Sequence, residues 1–284
     1  LNIDPARDII RQIFIDRIVH AKGIDRAAAR FDAVLMPTPA AVLEGATLLA
    51  QGTAGGKGLG DLMVVDIGGA TTDVHSVAAG APSREGVVQV GLPEPFVKRT
   101  VEGDLGMRHN AATIVETAGT DLIAERSGLG KTEIGRQLDA IARNIERLPS
   151  DPIERAFDEA MAWAAVRVAV ARHAGTSSVV QTIQGPVTVQ AGKDLSRVAT
   201  VIGTGGPLAH GAAPATALEA ALADPAEPFS LRPQAATLLI DTEYVLYAAG
   251  LLAAVEPEAA LALALGSLKP AVKGKPHEHR HQIA

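Results

Sequence analysis

The 284-residue sequence predicts an α/β fold in which a mixed sheet is flanked by helices. Three observations predict it. Hydrophobic residues make up 47% of the chain and aromatic ones only 3%, so apolar surface comes mainly from Ala, Val, Leu and Ile, the material of packed sheet and helix layers. Short β-branched runs bounded by glycine share the chain with longer, alanine-rich segments of helical spacing. Finally, Leu62-Met-Val-Val-Asp-Ile67 passes through Gly68 and Gly69 into Thr71-Thr-Asp-Val74, which reads as a strand, a tight turn and a second strand.

Taken in order, the chain opens with Ile9, Ile10, Ile13, Phe14 and Ile18 at the spacing of an amphipathic helix. A short helix follows over Asp25 to Arg30, then Ala33-Val-Leu-Met36 as a buried strand ended by Pro37-Thr-Pro39. Ala40 to Gln51 is an alanine-rich helix stopped at Gly52, and Gly52 to Gly60 reads as a flexible connector. Beyond the hairpin, Gly86 to Gly91 is a strand and residues 110 to 147 are helical with interruptions. Asp151 to His173 is one long helix with Gly175 at its C′ position and Arg172 and His173 in the last turn, where positive charge suits the helix dipole. From Val179 strands alternate through Thr188 to Val198-Ala-Thr-Val-Ile202, which delivers a loop from Gly203 to Gly206. Leu238-Leu-Ile-Asp241 is a further strand and Tyr244 to Ala254 an apolar helix.

Composition excludes several functions. A net charge of −6, with no basic run interleaved by aromatics, disfavours nucleic acid as a partner. With no cysteine there are no disulfides, thiolate metal sites or cysteine nucleophiles. The longest apolar stretches, Ala160 to Ala171 and Leu251 to Leu265, are broken by Arg167, Glu256 and Glu258, so no membrane span is expected. The polar start shows no signal peptide, and a cytoplasmic protein is the expectation.

The hairpin carries the chemistry. Two residues without a Cβ let turn amides approach an anion closely, and the Thr71 and Thr72 hydroxyls add donors. Asp66 and Asp73 flank this turn. Carboxylates beside a phosphate call for a cation such as Mg2+, held largely through water. An ordinary two-residue hairpin would need neither the acids nor the paired threonines.

These residues resemble a known pattern. Asp66-Ile-Gly-Gly-Ala-Thr-Thr-Asp73 resembles the second phosphate motif of the actin, sugar-kinase and heat-shock-chaperone ATPase superfamily, with Ala70 where a third glycine is common. Val201-Ile-Gly-Thr-Gly-Gly-Pro207 resembles that superfamily's adenosine motif. Leu92-Pro-Glu-Pro-Phe96, Thr100-Val-Glu-Gly-Asp-Leu-Gly-Met-Arg108, Arg172-His-Ala-Gly175 and Ala191-Gly-Lys-Asp-Leu195 narrow the resemblance to the glutamate mutase L family, over most of residues 30 to 255. Members of that family accompany adenosylcobalamin-dependent carbon-skeleton mutases.

The resemblance implies an actin-like (ribonuclease H-like) ATPase fold. Residues 1–60 would be the end of a first lobe and the connector, residues 61–265 the second lobe, and residues 266–284 a flexible polar tail. No first-lobe phosphate motif precedes Asp66, so the chain is expected to be the C-terminal part of a longer protein. The implied ligands are ATP and Mg2+. Asp66 and Asp73 would hold the metal through water and serve any phosphoryl transfer. Gly68, Gly69, Thr71 and Thr72 would bind the β- and γ-phosphates, and Gly203, Gly205 and Gly206 would back the adenosine. Glu102, Gly103 and Asp104 would lie beside the nucleotide, unless Asp104 merely caps a helix start.

The implied function is an ATP-binding, chaperone-like accessory protein that reactivates or assembles an adenosylcobalamin-dependent mutase such as glutamate mutase. It would be a weak ATPase at most and not itself the mutase. Its partners would be mutase subunits, with homo-oligomerisation left open and neither nucleic acid nor membrane involved. A small-molecule kinase of the same superfamily, with Glu102 or Asp104 as substrate base, is the enzymatic alternative, and an actin-like scaffold the non-catalytic one. Three lookalikes are set aside. Ser127-Gly-Leu-Gly-Lys-Thr132 lacks the first glycine and preceding strand of a P-loop. Asp73-Val-His75 has Ala78 where a cobalamin-binding motif needs glycine. The histidines of Lys275-Pro-His-Glu-His-Arg-His281 belong to a polar end.

Overall fold

β1 (Leu62–Ile67) is the middle of the molecule, and the burial of all its residues explains its unbroken apolar run. A strand covered on both faces reads as continuous hydrophobicity rather than alternation. Met63, Val65 and Ile67 point into one core and Leu62 and Val64 into another. The first core is closed by the long helix α5 (Pro152–His173), through Phe157, Met161 and Ala165 among others. The second is closed by α1 (Thr38–Gln51) and α8 (Leu246–Leu252), through Val42, Ala46, Leu49, Leu246 and Ala249.

The computed structural model describes residues 36–272, together with the isolated positions Ile9 and Ile13. Among these, β2 (Thr72–Val77), β3 (Val88–Val90) and β4 (Val97–Glu102) follow β1, then three helices, α2 (Ala111–Ala118), α3 (Thr120–Ser127) and α4 (Lys131–Arg143), precede α5. After α5 come β5 (Thr176–Thr182), β6 (Gly185–Ala191) and β7 (Thr200–Thr204), the short helices α6 (Gly206–Ala209) and α7 (Pro214–Glu219), β8 (Thr237–Asp241), α8, α9 (Pro257–Ser267) and β9 (Leu268–Pro270). The main sheet runs β4-β2-β1-β7-β8-β9, and β3-β6-β5 form a separate small sheet. β1, β2 and β4 are antiparallel neighbours, whereas β7 and β8 lie parallel to β1. The mixed sheet flanked by helices is therefore present.

Several expectations need correction. Gly52 to Gly60 is no loose connector: Leu59 and Gly60 amides donate to Leu49 and Ala50 carbonyls, and Gly55 N and Thr53 Oγ1 donate to the Glu258 carboxylate on α9. Residues 97–102, for which the sequence predicts no strand, form β4, an edge strand whose backbone pairs with β2 and whose part-buried side chains show no apolar run. α5 ends without a left-handed glycine, since Ala174 after it is extended. His173 brings no charge to that helix end. It is fully buried, its Nδ1 meets Thr100 Oγ1 at 2.9 Å and its Nε2 meets Ser76 Oγ at 2.8 Å, and burial holds its pKa well below the usual value. The first residues of the polar tail expected from 266 are ordered parts of the fold, since α9 runs to Ser267 and β9 pairs with β8, and residues beyond 272 lie outside those described. Gly203 lies inside buried strand β7 rather than in a loop.

Ser127 to Thr132 is a corner between α3 and α4, with Gly128 left-handed and Lys131 paired to Asp121 at the surface, so no strand feeds it. Ile9 and Ile13 are helical and exposed. The rest of the expected first helix, the helix over Asp25 to Arg30, the strand Ala33 to Met36 apart from its last residue, and the histidines beyond 272 lie outside the described residues.

Candidate functional site

The β1–β2 turn is shaped by the segment that wraps it. Met107 N donates to Gly68 O, Arg108 N and His109 N donate to Gly69 O, and Asn110 Nδ2 donates to Ala70 O at 3.1 Å. Every carbonyl at the tip from Gly68 to Ala70 is thus held from one side. The amides of Gly69 and Ala70 make no hydrogen bond among the described residues, which leaves two N–H groups at the turn for an anion. The wrapping segment can come this close only because residue 106 is glycine. A Cβ there would stand 2.2 Å from the Ala70 carbonyl.

The second glycine turn meets the first. β7 runs parallel to β1 with Asp66 opposite Thr204. Gly205, at φ 89°, then passes so close that a Cβ would stand 2.2 Å from Ile67 O and 2.7 Å from Asp66 Oδ1. Only glycine satisfies both that φ and that approach. A cleft of about 480 Å³ opens where these turns meet, with Gly68, Gly69 and Gly206 on its wall. Apolar groups from Met107, Leu148, Pro207 and Ala213 line much of the rest, and Arg108, Arg155, Asp158, Glu159, His210 and Tyr244 supply its polar edge. The cleft sits beyond the carboxyl ends of parallel strands, where open α/β sheets take ligands.

Asp66 lies beside this cleft, nearly buried, with no hydrogen bond to its carboxylate among the described residues. Burial first, then the negative charges of Asp73 and Asp241, push its pKa up to about 6 against the pull of Arg99. An ionised Asp66 is therefore a nearly buried charge with no ion pair among the described residues. Asp73 is already matched, accepting from Thr71 Oγ1 at 2.8 Å and from Arg99 Nε at 3.0 Å. Thr72 Oγ1 donates to Leu105 O at 2.7 Å from a fully buried position. Both threonine hydroxyls thus donate to groups of the fold itself. Gly203 is a core glycine, its missing Cβ replaced by Leu208, Ile240 and Leu218. Glu102 and Asp104 are drawn away to Arg172, whose guanidinium binds Glu102 at 2.7 Å and Asp104 at 2.8 Å. Gly103 contributes its carbonyl to Asn110 Nδ2 at 2.8 Å. Of the nominated residues, then, Gly68, Gly69 and Gly206 share the cleft wall, with Asp66 and Gly205 just beneath.

This geometry can be set beside known proteins. A family profile described as MutL protein matches residues 1–268. The chain belongs to the glutamate mutase L (MutL) family. A curated relative, Protein MutL of Clostridium tetanomorphum, is 47% identical over 261 residues. That match takes in 92% of this chain and 56% of the relative, so the MutL-family chain spans little more than half of that protein's length.

Sequence reasoning missed four residues at this MutL-family site. Arg108 was quoted only as the end of a motif, yet it lines the cleft and is clamped by Asp158 at 3.0 and 2.5 Å. Arg155 lines it too, donates to Ser150 O, and has no ion pair among the described residues. Tyr244 stands at the cleft in the left-handed region, at φ 51°, which no sequence signal reveals. Asp241 had a signal: an acid closing an apolar strand, as Asp66 does. Fully buried, it accepts from Thr204 Oγ1, Val245 N, Leu246 N and Ser267 Oγ and so ties β7, β8, α8 and α9 together.

A nucleotide's needs are met in part. The volume lies in the ~300–1,000 Å³ range of small-molecule sites, and the Gly69 and Ala70 amides with the Arg155 guanidinium suit phosphates. Among the described residues no cluster of three or more His, Asp or Glu is arranged for a metal. Mg2+ usually asks for one or two carboxylates and waters, and Asp66 has unspent oxygens. No helix among the described residues is long and apolar enough to cross a membrane.

Proposed function

We propose that this chain is the nucleotide-binding lobe of a chaperone-like accessory protein for an adenosylcobalamin-dependent mutase, built on an actin-like ATPase fold. One observation carries the nucleotide part. Two glycine turns far apart in sequence meet at the carboxyl ends of adjacent parallel strands and share one cleft. The sheet supports the fold reading, with the hairpin at its centre and the second motif on the neighbouring strand. In this reading residues 61–265 form the second lobe, and residues 1–60 come from the first lobe and connector.

The Gly69 and Ala70 amides and the Arg155 guanidinium bind phosphate oxygens, Asp66 holds the Mg2+, and Gly206 lets the nucleoside lie against backbone. Bound Mg-ATP supplies a γ-phosphoryl group whose presence or loss is a signal to a partner. The family's name, glutamate mutase L, supports a mutase as that partner. The kinase alternative finds no support, because Glu102 and Asp104 are both occupied by Arg172.

Calorimetric titration of Mg-ATP into the chain, with Asp66→Ala alongside, tests the nucleotide site. Saturable binding that Asp66→Ala weakens at least tenfold is expected. Silence at millimolar ATP would discard it. Capture of mutase subunits by the immobilised chain, with and without Mg-ATP, tests the partner, and no retention in either condition would remove that part.

A further inference from the structure

Resting on the nucleotide reading above, we propose that Tyr244 is the platform on which the ligand's planar base stacks, so that the cleft selects nucleotides over plain polyphosphates. The chain is poor in aromatics and holds only two tyrosines. Both stand together: Tyr244 contacts Tyr247 with ring centroids 5.8 Å apart and His210 at 6.4 Å, with interplanar angles of 64° and 88°. Tyr244 and His210 line the cleft, on the side of Gly206 and Pro207. Neither neighbouring ring lies parallel to Tyr244, so they brace it without stacking on it.

The backbone adds a second observation. Tyr244 has a left-handed φ of 51°, a conformation that bulky residues rarely adopt and that is retained where surrounding structure enforces it. Here the enforcement is visible. Tyr244 N donates to Asp241 O at 3.2 Å, and the next two amides, of Val245 and Leu246, donate to the Asp241 carboxylate. A glycine would take this φ freely, yet the position carries a tyrosine that lines the cleft. Stacking on an aromatic face tolerates any base, and Ala212 and Ala213 add apolar lining to the same cleft.

The test compares wild type, Tyr244→Phe and Tyr244→Ala by calorimetry against Mg-ATP and against Mg-tripolyphosphate. Loss of a stacked base lowers affinity by about 5–150-fold. Tyr244→Ala is expected to weaken ATP within that range and leave tripolyphosphate unchanged, while Tyr244→Phe keeps both. Equal ATP affinity in wild type and Tyr244→Ala overturns this inference and leaves the nucleotide site standing. Parallel loss of both ligands overturns it as well, since that marks a structural role. Absence of ATP binding by wild type removes the site and the platform together.

Discussion

Asp66 is a residue whose stability cost and proposed use have the same source. Its pKa rises from 3.8 to about 6 in the fold, so its favourable contribution is complete below about pH 4 and is lost as pH rises through 6. At pH 8 the ionised group costs roughly 2–3 kcal/mol, by the rule of 1.36 kcal/mol per pKa unit. Asp66→Asn mimics the protonated form, so urea midpoints should show it more stable than wild type by about 1–3 kcal/mol at pH 8 and nearly equal at pH 4. A variant less stable at pH 8 would show that the carboxylate is held by favourable contacts. Gly205 is the opposite case. Gly205→Ala places a methyl against Ile67 O at a positive φ, and a loss of about 3 kcal/mol or more is expected in the same assay. A drop below 1 kcal/mol would mean that the β1–β7 contact yields easily. The close approach of Gly205 to Asp66 was prepared in the sequence, since each belongs to an apolar strand and the glycine turn that follows it. The partners of Thr71 and Thr72 were not legible, because Thr71 turns to Asp73 and Thr72 to the Leu105 carbonyl, a choice made by the folded neighbourhood.

Among the elements, α5 is the most readable and shows why. Asp151 caps it, its carboxylate accepting from Glu154 N at 2.8 Å, and Pro152 occupies the first turn. Glu154 in turn accepts from Ser150 N and Oγ and from Arg147, which holds its carboxyl down at about 2. Asp151→Ala should therefore lower stability by about 1 kcal/mol without changing ligand binding, since neither Asp151 nor Glu154 lines the cleft. Thermal unfolding and an ATP titration on that variant check both halves. Caps, apolar runs and glycine breaks revealed α1, β1, β2, α5 and β8 for similar reasons. β4, α6, α7 and β9 carry no such marks. β4 and β9 are edge strands that exist because a neighbour supplies their hydrogen bonds, β2 for β4 and β8 for β9, whereas α6 and α7 are short turns closed by their own backbone.

For the whole molecule, the buried histidines decide how the fold meets acid. His75 lies inside β2 with neither ring nitrogen hydrogen-bonded among the described residues, and burial, reinforced by Arg99, lowers its pKa from 6.5 to about 3. His173 is shifted the same way. A depressed basic group contributes stability that is present above its unfolded pKa and lost as pH falls toward the folded one. Between pH 8 and pH 5 the unfolded chain protonates His75 and the fold cannot, a loss of about 2 kcal/mol. His173 adds to that loss, while Asp66, protonating in the fold near pH 6, returns about 1 kcal/mol. The chain should thus weaken on acidification even before its ion-paired carboxylates are protonated. His75→Leu removes both the titration and the unpaired nitrogens. Its advantage over wild type in urea midpoint should grow by about 2 kcal/mol on going from pH 8 to pH 5. If the two proteins instead lose stability in parallel, His75 has a partner or water that satisfies it in solution. The acid sensitivity then belongs to His173 and its hydrogen bonds to Thr100 and Ser76, which Ser76→Ala would expose.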